Sequence, residues 1–96
     1  MPESKSHRST AKRLAKKFGT EYNMGQGADI NAQDVAIEVE TPGTVKGGLK
    51  QLQGHQKQVY IAGTNQKAVE RALERTKGTT VGVMDNQGKI VKKSTR

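Results

Sequence analysis

The sequence predicts a small α/β domain in which a mixed β-sheet is flanked by helices. Helix-like and strand-like segments alternate along the 96 residues, and strands separated by helices favour a sheet that helices cover. Only 31% of the residues are hydrophobic and 3% are aromatic, so the predicted core is thin. A chain of this length forms one domain. The predicted order is a helix, two or three strands, a helix, a strand, a helix and a closing hairpin.

The first predicted helix covers residues 7–18 and follows a flexible, basic segment over residues 1–6. Its apolar stripe has helical spacing and consists of Ala11, Leu14, Ala15 and Phe18. Gly19 ends the helix. The opposite face is almost entirely Lys and Arg, which favours contact with nucleic-acid phosphates. The predicted contacts are Arg8, Lys12, Arg13, Lys16 and Lys17.

A β-hairpin is predicted next, with strands over residues 28–30 and 35–41. The four residues between them are mainly turn formers. The second strand alternates strictly between apolar and other residues, so Glu38 and Glu40 point to the same face of the sheet.

The later elements follow the same periodicities. They are a helix over residues 45–52 that Gly47 and Gly48 weaken, a buried strand over 58–62, a helix between Asn65 and Gly78, and a hairpin with strands over 80–84 and 89–92. Residues 7–93 therefore form the predicted domain, and residues 94–96 a basic tail.

The charge of the chain indicates a polyanionic partner. Seventeen Lys and Arg oppose nine Asp and Glu, for a formal net charge of +8, and nucleic acid is the commonest intracellular polyanion. The charges are also segregated, since residues 18–45 contain five acids and no Lys or Arg. The protein is predicted to have basic flanks around an acidic centre.

Several classes of function are disfavoured by composition. The chain has no cysteine, so it has neither a disulfide nor a Cys-based zinc site. No apolar run is long enough for a signal peptide or a membrane span, so we expect a cytoplasmic protein without a membrane partner. The scarcity of aromatic residues argues against recognition of single strands by base stacking.

The acids of the predicted hairpin are candidates for a metal site. Glu38 and Glu40 lie on one strand, and Asp29 lies on its partner. Carboxylates that converge on one face repel each other unless a cation joins them, and Mg²⁺ or Mn²⁺ prefers oxygen ligands. Such an ion can activate water and polarise a phosphodiester. The alternative is a solvated face of a half-exposed strand, on which both glutamates face water.

The hairpin resembles the core signature of the PD-(D/E)xK nuclease superfamily, which includes restriction endonucleases, Holliday-junction resolvases and repair nucleases. The matching segments are GADI at residues 27–30 and VAIEVET at residues 35–41. The resemblance implies a restriction-endonuclease-like core over roughly residues 7–76. It maps the (P)D position to Asp29 and the (D/E) position to Glu38, and it implies that these two residues bind one or two Mg²⁺ or Mn²⁺ ions.

The match departs from the family pattern at Glu40, which stands where a Lys commonly orients the attacking water. Some restriction-type members also have Glu there. The resemblance then implies that Glu40 helps to hold the metal or the water. Lys46 or Lys50, on the next predicted helix, would supply positive charge near the scissile phosphate. The first helix also lacks the Glu ligand that active members often carry.

The predicted function is that of a Mg²⁺-dependent endodeoxyribonuclease that binds the backbone of duplex or branched DNA. A homodimer is compatible with this function, since cutting both strands needs two sites. Two alternatives stay open. One is a non-catalytic nucleic-acid-binding protein, either an inactive member of the same family or an unrelated basic α/β domain. The other is a structural or interaction protein whose acidic face binds a basic partner.

Overall fold

The computed structural model of the chain describes residues 5–23, 28–45, 47–48, 52 and 56–96. Its elements are α1 (Lys5–Lys17), β1 (Ile30–Asn31), β2 (Val35–Glu40), β3 (Gln58–Gly63), α2 (Gln66–Arg75), β4 (Gly82–Met84) and β5 (Ile90–Lys92). The prediction of a small α/β domain with a mixed sheet is confirmed. Over these same ranges, no helix is long and apolar enough to cross a membrane.

The five strands lie side by side in the order β1-β2-β3-β4-β5. The two outer pairs, β1 with β2 and β4 with β5, are antiparallel, whereas β2, β3 and β4 run parallel. Parallel neighbours need crossover connections. One crossover passes through helical backbone at Val45, Gly47 and Gly48, and the other is α2.

The two faces of the sheet carry different helices. On one face, Val45 and Leu52 pack with Val69 and Ala72 of α2, so both crossovers cover this side. On the other face, α1 packs its apolar stripe against alternate residues of the strands. The members of this second cluster from the sheet are Ile30, Ile37, Val39, Tyr60, Ala62 and Met84.

The helix ends follow from local sequence. Gly19 has φ +71°, and its N–H and that of Thr20 bond to the carbonyls of Lys16 and Ala15, which closes α1 with a left-handed cap. Asn65 caps α2, because its side chain accepts the N–H of Ala68 at 2.9 Å. The helix predicted between Asn65 and Gly78 is therefore confirmed as α2.

Some boundaries differ from those predicted. The first helix begins at Lys5, two residues before the predicted start at His7, and ends at Lys17. Strand β1 has only two residues. Residues 94–96, predicted as a tail, contact the domain, since buried Ser94 accepts the N–H of Val59 and an Arg96 guanidinium N–H donates to the carbonyl of Leu52 at 2.7 Å.

Candidate functional site

The register of the first hairpin brings Asp29 and Glu38 together. Ile30 pairs with Ile37, so Asp29 lies opposite Glu38 across the antiparallel pair. The backbone N–H of Asp29 donates to Glu38 Oε2 at 3.2 Å, and the N–H of Val39 donates to Asp29 Oδ2 at 2.9 Å. The two predicted ligands, from opposite sides of a turn, therefore occupy one site.

The three acids of the site, Asp29, Glu38 and Glu40, are called the carboxylate cluster below. Their exposed fractions are 9%, 8% and 6%. Glu38 and Glu40 lie on the sheet face that the crossovers cover, because they share the parity of Ala36, which packs with Val45. The interpretation in which both glutamates face water is wrong, since the crossover after β2 covers this face.

Burial changes the acidity of both glutamates. Burial first, and the neighbouring charge of Asp29 second, raise the pKa of Glu38 to about 9. A hydrogen bond between the side chains of Asp29 and Glu38 acts in the same direction. Burial also raises the pKa of Glu40 to about 7, although a hydrogen bond with the Thr44 side chain opposes the rise. Burial therefore favours the protonated form of Glu38 at neutral pH and makes Glu40 a weaker acid than an exposed glutamate.

Gly48 makes room for the side chain of Glu40. A Cβ atom at Gly48 would lie 2.7 Å from Glu40 Oε1 and 2.8 Å from its Cγ, whereas one at Gly47 would meet nothing within 4 Å. From the sequence, both glycines are predicted only to weaken a helix. The structure separates them, because only Gly48 is needed for the position of the Glu40 carboxylate.

His7 belongs to the site, although the sequence analysis did not select it. Its Nε2 lies 3.2 Å from Asp29 Oδ2, and its Nδ1 lies 3.3 Å from the hydroxyl of Tyr22. The two rings are tilted, with centroids 6.0 Å apart. A signal was present in the sequence, since His7 precedes Ala11 by four residues and so continues the apolar stripe of α1 by one turn.

The contacts of His7 explain how α1 reaches the carboxylates. Asp29 directly precedes β1, an edge strand of two residues, so a side chain from the α1 face can reach it past the edge. Asp29 Oδ2 then has two neighbours, the N–H of Val39 and Nε2 of His7. The imidazole thus restrains the Asp29 carboxylate from one side while the backbone of β2 restrains it from the other.

The five predicted phosphate contacts of α1 divide into two groups. Arg13 and Lys17 donate to the backbone carbonyls of Asn86 and Gln87, at 2.9 and 3.0 Å, and so hold the turn between β4 and β5. The others, Arg8, Lys12 and Lys16, are exposed. Lys46 and Lys50, the remaining predicted cationic residues, lie outside the described residues.

The donor chemistry of the cluster fits a hard cation. Carboxylate oxygens are the ligands that Mg²⁺ and Mn²⁺ prefer. In the described part of the chain, no three His, Cys, Asp or Glu side chains are arranged to hold a metal ion. The Asp29 and Glu38 side chains are hydrogen-bonded to each other. Metal binding here requires that Glu38 first lose its proton.

Comparisons with protein-family models, with curated protein sequences and with solved structures found no match to this chain. The resemblance to the PD-(D/E)xK superfamily stays a prediction. Any functional conclusion for this protein depends on the residues of the carboxylate cluster and on the charges around it.

Proposed function

We infer that the protein is a metal-dependent nuclease of the PD-(D/E)xK type, with Asp29 and Glu38 as ligands of one or two Mg²⁺ or Mn²⁺ ions. The observation that carries the proposal is that the buried carboxyl groups of Asp29 and Glu38 lie opposite each other in the first hairpin and are hydrogen-bonded to each other. The chain has a net charge of +8, yet the Asp29 and Glu38 side chains are hydrogen-bonded to each other, and the basic side chain that contacts Asp29 is His7.

The energetics of the cluster support a role for a cation. A buried carboxyl without a counter-ion holds its proton, as the raised pKa of Glu38 indicates. Asp29 and Glu38 would hold a divalent ion as two ionised carboxylates, and Glu38 would give up its proton to water when the ion binds. When bound, the ion would polarise the phosphodiester and lower the pKa of a water molecule.

The other residues of the cluster have distinct roles in this proposal. Glu40 has a pKa of about 7, so at neutral pH it can accept a proton from the attacking water. His7 holds the Asp29 carboxylate in place, as outer hydrogen-bond partners of metal ligands do. Lys46 or Lys50 would stabilise charge near the scissile phosphate.

The substrate proposed is duplex or branched DNA, bound by its phosphates. Arg8, Lys12 and Lys16 of α1 are exposed and are the candidate contacts on that face. Arg13 and Lys17 also donate to carbonyls of the turn between β4 and β5. A homodimer would present two sites to the two strands. A nuclease acting on intracellular DNA would work in the cytoplasm, in agreement with the composition.

The second candidate is a nucleic-acid-binding protein without catalysis. Two observations favour it. In the described residues, no three His, Cys, Asp or Glu side chains are arranged to hold a metal ion. Glu40 also stands where the PD-(D/E)xK pattern usually has a Lys. Both candidates predict DNA binding that weakens steeply with salt. Only the nuclease requires the carboxylate cluster.

The test combines metal titration with cleavage. Backbone amide shifts of residues 29 and 38–40 are followed by NMR while Mn²⁺ or Mg²⁺ is added to millimolar concentration. Plasmid and junction DNA are then incubated with the wild type, with Glu38→Gln and with Glu70→Gln, an exposed acid on α2 that serves as the control. We expect amide shifts and cleavage in the wild type and in Glu70→Gln, and neither in Glu38→Gln. Unmoved amides, or cleavage that persists in Glu38→Gln, would overturn the proposal.

A further inference from the structure

A second charged feature lies on the sheet face that the crossovers cover. It is a groove of about 850 Å³, lined by Pro42, Gly43, Val45, Arg71, Glu74 and Arg75. The first three residues follow β2, and the other three belong to α2. The carboxylate cluster is not part of the lining. This feature, called the arginine groove below, is therefore distinct from the candidate metal site.

Two arginines, Arg71 and Arg75, line the same groove. Arg71 and Arg75 are four residues apart on α2, so their side chains leave the same side of the helix, about 6 Å apart along its axis. Both are exposed, and neither forms an ion pair with a carboxylate of the described residues. Helical spacing also puts Glu74 within reach of Arg71, but no such pair forms. Two unpaired guanidinium groups thus face a groove that contains one carboxylate.

The arginine groove lies beside the carboxylate cluster, with one helical segment between them. Val45 of this segment lines the groove, and Gly48 of the same segment contacts the Glu40 side chain. A helix with its side chains is about 10 Å across. An extended polyanion that reaches the cluster over this segment therefore also reaches the groove.

We propose that the arginine groove binds a backbone phosphate of the nucleic acid, beyond the phosphate at the carboxylate cluster. Guanidinium groups are suited to this ligand, because their N–H donors match phosphate oxygens in a bidentate geometry. Glu74 limits the affinity for the anion. The identity of the ligand as nucleic acid rests on the proposed function, whereas the anion site itself rests on the two arginines and the groove.

The experiment measures binding of a fluorescent duplex by anisotropy from 50 to 300 mM salt, in the absence of divalent metal. We expect the Arg71→Gln/Arg75→Gln variant to bind about tenfold more weakly, and the slope of log affinity against log salt to fall by about 1 to 2. Arg71→Lys/Arg75→Lys keeps both charges and should lose a smaller part of the affinity. Glu74→Gln should bind more tightly than the wild type, which a loss of folding cannot mimic.

The matched control is Lys89→Gln/Lys93→Gln, which removes the same charge from exposed positions of the second hairpin. The proposal is overturned if this control weakens binding as much as the arginine variant does, or if Glu74→Gln leaves the affinity unchanged. It is also overturned if poly-glutamate, an acidic peptide, binds the groove while the duplex does not.

The outcome is separable from that of the proposed nuclease activity. Glu38→Gln should abolish cleavage and retain the arginine-dependent binding. If the protein binds DNA through Arg71 and Arg75 but never cuts it, the hydrolytic function fails and the phosphate site stands. If it cuts DNA while the arginine variant binds and cuts as the wild type does, the phosphate site fails and the nuclease stands.

Discussion

The two hairpins of this protein place their acids in opposite environments. In the second hairpin, the half-exposed carboxylate of Asp85 accepts the backbone N–H groups of Gln87 and Lys89, both at 2.9 Å. In the first hairpin, the buried carboxylates of Asp29 and Glu38 contact each other. Asp85 is thus a turn residue with its hydrogen bonds satisfied by the local backbone. Asp29 and Glu38 also accept backbone N–H groups, but their buried side chains are in addition hydrogen-bonded to each other, and this is the reason to expect a ligand there.

Helix α1 contacts both hairpins and shows the same contrast. Its last turns hold the second hairpin through Arg13 and Lys17, whose side chains donate to carbonyls of the turn. Its first turn reaches the first hairpin through His7, which contacts Asp29 and Tyr22. The contacts of the C-terminal end join side chains of α1 to backbone carbonyls, whereas the contact of the N-terminal end goes to a carboxylate. Substitutions in the first hairpin should therefore change metal binding and the pH dependence of stability, whereas substitutions in the second should change stability alone. The largest effect is expected at Glu38.

The first prediction concerns the pH dependence of stability. The folded protein keeps the Glu38 proton that the unfolded chain releases near pH 4.5, so the contribution of Glu38 is fully present below that pH and is lost as the pH rises to about 9. Glu38→Gln removes this loss. The free energy of unfolding of Glu38→Gln, relative to the wild type, should increase by a few kcal/mol from pH 5 to pH 9 without metal.

Urea unfolding at several pH values measures this difference. Asp85→Asn is the matched control, since it alters an acid of the other hairpin, whose carboxylate is half-exposed. A Glu38→Gln curve parallel to that of the wild type would mean that Glu38 is an ordinary surface acid.

The second prediction concerns His7. Loss of an outer partner of a metal ligand typically weakens metal affinity by about 10–100-fold, and His7→Ala should weaken Mn²⁺ binding within this range. Tyr22→Phe removes only the hydroxyl that contacts His7 and should have a smaller effect. The measurement is calorimetric titration of Mn²⁺, with Lys12→Ala of the exposed α1 face as the control. Equal affinities in His7→Ala and Lys12→Ala would remove His7 from the site.

The third prediction uses the two adjacent glycines. Gly48→Ala places a methyl group on the Glu40 carboxylate and should displace it, which lowers cleavage by about tenfold, in line with misplaced catalytic groups. Gly47→Ala meets no atom and should leave cleavage intact, while it stabilises the helix by about 0.5–1 kcal/mol. Plasmid cleavage and thermal unfolding of the two variants test the pair. Equal cleavage by both would show that the position of Glu40 is unimportant.

The smallest effect is expected at the second hairpin. Asp85→Ala removes two hydrogen bonds of a turn and should lower the free energy of unfolding by about 1 kcal/mol. Metal affinity and cleavage should not change, because Asp85 lies outside the carboxylate cluster. Urea unfolding and Mn²⁺ titration of this variant complete the comparison. A large loss of metal binding in Asp85→Ala would contradict the separation of the two hairpins.

The sequence predicted the fold and part of the site for identifiable reasons. Strict alternation predicted β2 to within one residue of its end, and the turn formers before it predicted a hairpin with Asp29 on one side and Glu38 on the other. Alternation shows which residues share a face of a strand, but it does not show whether another element covers that face. The burial of Glu38 and Glu40 depends on the crossover after β2, a tertiary contact that local periodicity does not encode.

The missed residues have a similar explanation. The part of Gly48 in the site depends on its distance from Glu40, which belongs to another element, so the glycine pair looked only like a weakness of the helix. His7 continued the apolar stripe of α1. Spacing alone does not show whether a polar residue at the end of such a stripe contacts another element or faces water. In both cases the function of the residue is set by a contact between elements, whereas the sequence reports periodicity within an element.

The central claim is that the Asp29–Glu38 pair binds a divalent cation in exchange for a proton. The most direct test is calorimetric titration of Mn²⁺ at pH 7.5 in buffers of different ionisation enthalpy, which counts the protons released. We predict release of about one proton per ion in the wild type, because Glu38 is protonated before binding. Glu38→Gln should show no binding. Binding without proton release, or equal binding by Glu38→Gln, would contradict the claim.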